Sequence, residues 1–154
     1  MRLAAIVVLF LASVQCLGAT TIRVASWNVR NYNSSDRVVD GKWTPSAPKD
    51  EAEKAALRRA ILSLRPDVIL FQEMGPSEYL EELRLDLDGE GLTYAYSAHL
   101  SAADPERCLA ALSRIPFDSI GKESHLSYRS GGEDREVRRG LLALSFVTDG
   151  QRWT

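Results

Sequence analysis

The chain has 154 residues, 45% hydrophobic and 26% charged, with a formal net charge of −2. That length suits one globular domain and is short for two. The mild acidity is no electrostatic footprint of a dedicated nucleic-acid-wrapping module, but it does not exclude a nuclease, because a bound divalent cation supplies positive charge locally.

Met1-Arg2 gives a short positive start, Leu3 to Val14 is an almost unbroken apolar run, and Gln15 to Ala19 ends in small residues. The run falls short of the roughly 20 residues a membrane span needs, and the pattern is that of a cleaved secretory signal. Residues 1–19 are therefore assigned as a signal peptide, which makes the mature protein secreted or periplasmic with no membrane span after cleavage. Losing that segment removes Arg2 and Cys16 and leaves Cys108 as the lone cysteine. No internal disulfide can then form, so packing alone must hold the fold. Cys108, beside Leu109, Ala110, Ala111 and Leu112, reads as a small buried hydrophobe.

Thr21 to Val29, rich in β-branched and apolar residues, predicts a strand. Asn31 to Pro48 is polar, with Asp36, Asp40-Gly41, Pro45 and Pro48, and predicts a long loop at a functional rim or a plain surface excursion. From Lys49 the pattern turns helical, with Ala52, Ala56, Leu57, Ala60, Ile61 and Leu64 on one stripe and Glu51, Glu53, Lys54, Arg58 and Arg59 on the rest. An acidic start and a basic end suit the helix dipole. Pro66 stops this helix, Val68 to Phe71 predicts a buried strand, and Pro76 to Leu87 a second helix with Pro76 in its first turn. Further strands are expected at Thr93 to Ala98, Leu109 to Ser113 and Leu141 to Val147. Lys122 to Glu136 is polar with a turn at Gly131-Gly132, and Asp149-Gly150 signals a hairpin whose partner strand begins at Gln151. The apolar runs at Val68 to Phe71, Leu109 to Leu112 and Leu141 to Leu144 do not alternate, so their strands are expected to be covered on both faces, as in a layered α/β sandwich. A hairpin opened at Asp149-Gly150 so near Thr154 predicts an incomplete domain, residues 20–154 forming its N-terminal part.

Two stretches carry candidate chemistry. In Ser26-Trp27-Asn28-Val29-Arg30 the strand delivers Asn28, whose amide offers an acceptor and a donor for a phosphate oxygen or a metal-bound water. A turn-forming role is the plain alternative. In Arg65-Pro66-Asp67-Val68-Ile69-Leu70-Phe71-Gln72-Glu73 a buried strand ends in a carboxylate, which needs a partner or a metal. Magnesium prefers one or two carboxylates plus waters and phosphate oxygens, and Glu73 can supply such a ligand. A solvated loop charge, or pairing with a nearby arginine, is its ordinary alternative.

Together these stretches resemble the endonuclease/exonuclease/phosphatase superfamily, which includes pancreatic-type DNase, apurinic endonucleases, sphingomyelinases and inositol polyphosphate phosphatases. Ile22 to Asn28 looks like its first motif, ending in the active-site Asn, and Arg65 to Glu73 is similar to the second, whose Glu binds the metal. Ala111-Leu112-Ser113-Arg114-Ile115-Pro116 resembles a strand end that follows in many members. Arg138-Arg139-Gly140 leading into Leu141 to Phe146 resembles the segment with a phosphate-contacting Arg, with Arg139 chosen and Arg138 the fallback. The resemblance implies an α/β fold, an incomplete four-layer α/β/β/α sandwich of mixed and mostly antiparallel sheets with helices outside.

It also implies a Mg2+ (or Mn2+) dependent hydrolase acting on a phosphodiester or phosphomonoester, with Asn28 and Arg139 as catalytic groups and Glu73 with Asn28 at the metal. The expected partner is a phosphoester substrate (nucleic acid, phospholipid or small phosphate ester), with no stable nucleic-acid partner, and a complete protein is expected to be a monomer. His99 and His125 lie outside the family's later His and Asp motifs and are expected to be structural or surface residues. The alternative is a truncated, non-catalytic chain that at most binds phosphate or metal weakly.

Overall fold

The computed structural model describes residues 21–154, so the assigned signal segment, residues 1–19, lies outside the described residues. In chain order the elements are β1 (Val24–Tyr32), β2 (Ser35–Val39), β3 (Lys42–Ala47), α1 (Glu51–Leu64), β4 (Val68–Met74), α2 (Ser77–Gly89), β5 (Tyr96–Leu100), β6 (Cys108–Ser113), β7 (Ser119–Glu123), β8 (Ser127–Ser130), β9 (Glu133–Glu136), β10 (Leu141–Thr148) and β11 (Gln151–Trp153). A four-stranded sheet runs β1-β4-β6-β5, with β1 and β4 parallel and the other neighbours antiparallel. A three-stranded antiparallel sheet runs β11-β10-β7, and β2-β3 and β8-β9 are separate hairpins.

The continuous apolar run of β4 is explained by what covers each side. Ile69 and Phe71 face the helices and pack with Leu57, Ile61, Leu80, Leu83 and Leu87. Val68 and Leu70 face the other sheet and pack with Leu142, Leu144 and Phe146. Successive side chains of a strand point to opposite faces, so a strand between two layers needs apolar residues at every position. The described residues thus form the helix layer and both sheet layers of the expected sandwich. Cys108 is buried, in keeping with a small core residue.

Several sequence expectations need correction. The stretch from Asn31 to Pro48 is no loop but contains the β2–β3 hairpin, turned at Asp40-Gly41, where both residues have positive φ (50° and 75°). Asp-Gly is the dipeptide suited to that two-residue turn. The polar segment from Lys122 to Glu136 likewise holds the end of β7 and all of β8 and β9, whose residues are exposed, so no apolar alternation marks them. The first strand begins at Val24 and reaches Tyr32, and β5 is displaced toward Leu100.

The buried face of α1 is Lys54, Leu57 and Ile61, while Ala52, Ala56 and Leu64 of the expected stripe are exposed. Lys54 is drawn in by Glu82 of α2 at 2.5 Å and lies over the Tyr32 ring, while Arg58 bonds Asp86 at 3.0 Å and Glu90 at 2.7 Å. Polar pairing between the helices has rotated the stripe. Helix α1 starts with Glu51 and Glu53 but has no basic residue in its last turn, and it ends at a left-handed Arg65. Pro66 follows the cap as expected. Pro76 is the N-cap of α2 and not part of its first turn.

Candidate active site

The site forms where β1 and β4 lose their regular pairing at the same level. Val24 to Asn28 pair in register with Val68 to Gln72, and pairing resumes only at Tyr32 with Met74. On the other side of β4, Gln72 pairs with Leu109 and Met74 with Cys108, so Glu73 is an extra residue in the ladder. Strict alternation from Ile69 and Phe71 would aim Glu73 at the helices. The bulge, with Glu73 at a φ of 61°, turns it to the other side. Bulges often re-aim one side chain in this way beside a functional site. A left-handed conformation costs a non-glycine residue roughly 1–2 kcal/mol. Arg30 and Asn31 hold it too, at 50° and 56°.

The outcome is a tight polar cluster. Asn28 Nδ2 donates to Glu73 Oε1 at 2.9 Å, and the Arg30 amide donates to Asn28 Oδ1 at 2.9 Å, which orients the amide group. Arg139 reaches the same carboxylate oxygen from the turn before β10, with Nη2 at 3.3 Å. Gly140 makes that turn possible. Its φ is 69°, and a Cβ there would stand 2.5 Å from the Glu123 carbonyl. Beside the cluster lies a polar cleft of about 310 Å3, lined by Arg30, Asn31, Ser35, Asp36, Arg37, Val38, Glu53 and Glu73.

The structure therefore brings Asn28, Glu73 and Arg139 together, from two neighbouring strands and a distant turn. Arg138 turns elsewhere, 73% exposed, with Asp104 as its partner at 4.0 Å. His99 donates from Nε2 to the Gly75 carbonyl at 3.0 Å and braces the chain after Glu73. Gly75 is itself required, because a Cβ would meet the Asn33 and Tyr79 side chains at 2.7 Å. His125 is a surface residue beside Glu136.

Asp36, Arg37 and Glu53 on the cleft wall are not apparent in the sequence reading. The Asp40-Gly41 hairpin pairs Arg37 with Thr44, and only the folded cleft sets Asp36 and Arg37 beside Glu73. Among the described residues no three His, Cys, Asp or Glu side chains cluster tightly enough to hold a metal by themselves. What the site offers is one partly buried carboxylate and an amide, hard oxygen donors without sulfur or imidazole. That set fits a magnesium-like ion that keeps most of its shell as water and phosphate oxygen.

A layered α/β sandwich thus carries an Asn28–Glu73–Arg139 cluster built from two neighbouring strands and the turn before β10. The model of the Endonuclease/Exonuclease/phosphatase family matches residues 25–149, and the chain belongs to that family. The fold is similar to that of an endonuclease/exonuclease/phosphatase family protein from Leptotrichia buccalis C-1013-b, at 15% identity and a TM-score of 0.55, covering 86% of this chain and 51% of that one. It is also similar to an endonuclease/exonuclease/phosphatase from Beutenbergia cavernae DSM 12333, at 21% identity and a TM-score of 0.50, covering 84% of this chain and 35% of that one. The chain thus spans about half, or less, of the solved structures it matches. No curated protein matches it.

Proposed function

We propose that this chain carries one wall of the active site of an exported, metal-dependent phosphoester hydrolase. The convergence of Asn28 Nδ2 and Arg139 Nη2 on one oxygen of Glu73, at 2.9 and 3.3 Å, supports the reading. A carboxylate can ligate a hard cation, and an amide and a guanidinium can donate to phosphate oxygens.

Glu73 would hold the metal, Mg2+ or Mn2+, and Asn28 would fix a phosphate oxygen or a metal-bound water. When bound, the cation supplies Lewis-acid charge that stabilises the phosphoryl oxygens and the leaving group. Arg139 donates charge-assisted hydrogen bonds to non-bridging oxygens of the phosphate. The cleft beside Glu73 admits the ester, with Arg30 and Arg37 set among the carboxylates of Asp36 and Glu53 on its wall. Proton transfer is left to groups other than His99 and His125, which lie outside the cluster. The leader-like pattern of residues 1–19 supports export. Nucleic acid, phospholipid and small phosphate esters all remain within the chemistry of the site.

The test is hydrolysis of bis(4-nitrophenyl) phosphate by the full chain under saturating magnesium, compared with Glu73→Ala. Loss of at least roughly 100-fold in rate is expected, since even outer-sphere changes at metal sites reach that range. Unchanged turnover in the variant would remove Glu73 from the metal site. Magnesium binding without turnover in the parent chain would instead favour a non-catalytic binder.

A further inference from the structure

Lys49 stands where the helical pattern begins, yet it is only 8% exposed. A buried ammonium carries three donors and a large desolvation cost, so its partners show what it is there to hold. It has two. Nζ lies 2.5 Å from Glu53 Oε2 on the first turn of α1, and it donates to the Arg30 carbonyl at 3.3 Å. Arg30 is the first of the two left-handed residues that follow Asn28, and its amide is the group that orients Asn28 Oδ1. The contacts form one line: Lys49 to the Arg30 carbonyl, the Arg30 amide to Asn28, and Asn28 to Glu73.

We propose that Lys49 is a positioning residue of the site, holding the left-handed Arg30–Asn31 turn so that the Asn28 amide presents Nδ2 to Glu73. Non-glycine residues persist in this conformation only where their surroundings over-determine it. Arg107 braces the second half of the turn, with Nε donating to Asn31 Oδ1 at 3.0 Å. Lys49 braces the first half, the half bonded to Asn28. Glu53 keeps the ammonium in place, and the Lys49 hydrogen bond in turn lowers the Glu53 carboxyl below its ordinary range. Asp50, the next residue, caps α1 by accepting from the Ala52 and Glu53 amides, so the start of the helix carries the brace rigidly.

The proposal rests on the reading of Asn28 and Glu73 as phosphate and metal groups, and the test separates the two. Mn2+ is the probe, its affinity for the full chain read by water-proton relaxation. Wild type is compared with Lys49→Met, Lys49→Arg and Glu73→Gln. Lys49→Met is expected to weaken Mn2+ by roughly tenfold or more, as orienting groups behind metal ligands do, while Lys49→Arg recovers most of that loss. A folded Lys49→Met protein with wild-type affinity overturns the proposal.

Wild type that binds Mn2+ no better than Glu73→Gln sinks the metal reading instead. The positioning role is then decided without metal, by the Asn28 side-chain amide in nitrogen-edited proton spectra. That signal should move in Lys49→Met and return in Lys49→Arg, and an unmoved signal refutes the role. If Lys49→Met does not fold, the unsubstituted chain decides. The Lys49 ammonium protons should stay visible where those of exposed Lys42 and Lys122 have exchanged away, and equally fast exchange overturns the proposal.

Discussion

The two faces of the four-stranded sheet are built differently. Toward the helices, Ile69, Phe71, Met74, Leu83, Leu87 and Tyr32 are each no more than 1% exposed. Toward the second sheet, Val68 and Leu70 face an apolar groove of about 500 Å3, lined also by Ile22, Val24, Leu142, Leu144, Phe146 and Trp153. Val24, Leu141 and Trp153 are about half exposed, at 57%, 53% and 49%. The helix face is close-packed, and its few polar groups are tied across α1 and α2. The other face ends in Ser26, Asn28, Gln72 and the re-aimed Glu73, polar side chains that a filled interior would not tolerate. Stability is thus concentrated on one side of the sheet and candidate chemistry on the other.

The largest expected effect tests the filled face. Phe71→Ala should cost about 3–5 kcal/mol, read by urea denaturation, because neighbours on every side prevent collapse around the void. Leu144→Ala, beside the open groove, should cost about 2 kcal/mol, the low end for such truncations. Equal losses at the two positions would break the contrast.

Alkaline titration sharpens it. Burial pushes the Tyr94 phenol up to about 12, and Tyr94 donates to the Pro66 carbonyl at 3.0 Å. Tyr32 is raised further by burial and by Glu82 and Asp86. The folded chain therefore holds phenolic protons that the unfolded chain releases near pH 10, and the proton imbalance lowers stability as pH rises. Stability from Tyr94 should be complete below about pH 10 and fall as pH approaches about 12. Tyr94→Phe should flatten that slope in thermal melts, and an unaltered slope would reject Tyr94 as its source.

The smallest effect belongs to the rim. Trp43, 65% exposed opposite Val38 on the hairpin, should change stability by no more than about 0.5 kcal/mol on substitution by Ser. A larger loss would mean the hairpin is part of the packed body.

How far the sequence was legible follows the same division. Elements with a helical apolar period, α1 and α2, and those with a continuous apolar run, β4, β6 and β10, are legible in the sequence to within a few residues. The hairpins β2–β3 and β8–β9 were missed because their side chains are largely exposed and leave no alternating signal. Lys54 misled the helix stripe, since a charged residue is read as solvent-facing until a partner such as Glu82 is brought near it. Asn28, Glu73 and Arg139 were singled out from motif order, and the Asn28–Glu73–Arg139 cluster then emerged in space.

By itself the sequence determined the layered α/β fold, through strands apolar at every position, and the family, through motifs around Asn28 and Glu73. Only the tertiary structure decided where the Glu73 carboxylate points, because a bulge against both neighbouring strands is a property of pairing and not of local composition. It brought Arg139, the arginine chosen from the sequence, onto Glu73 and left Arg138 beside Asp104. It alone placed Lys49 beneath the Arg30 carbonyl. A lysine before a helix carries no signal of what it holds until the chain has folded back onto it.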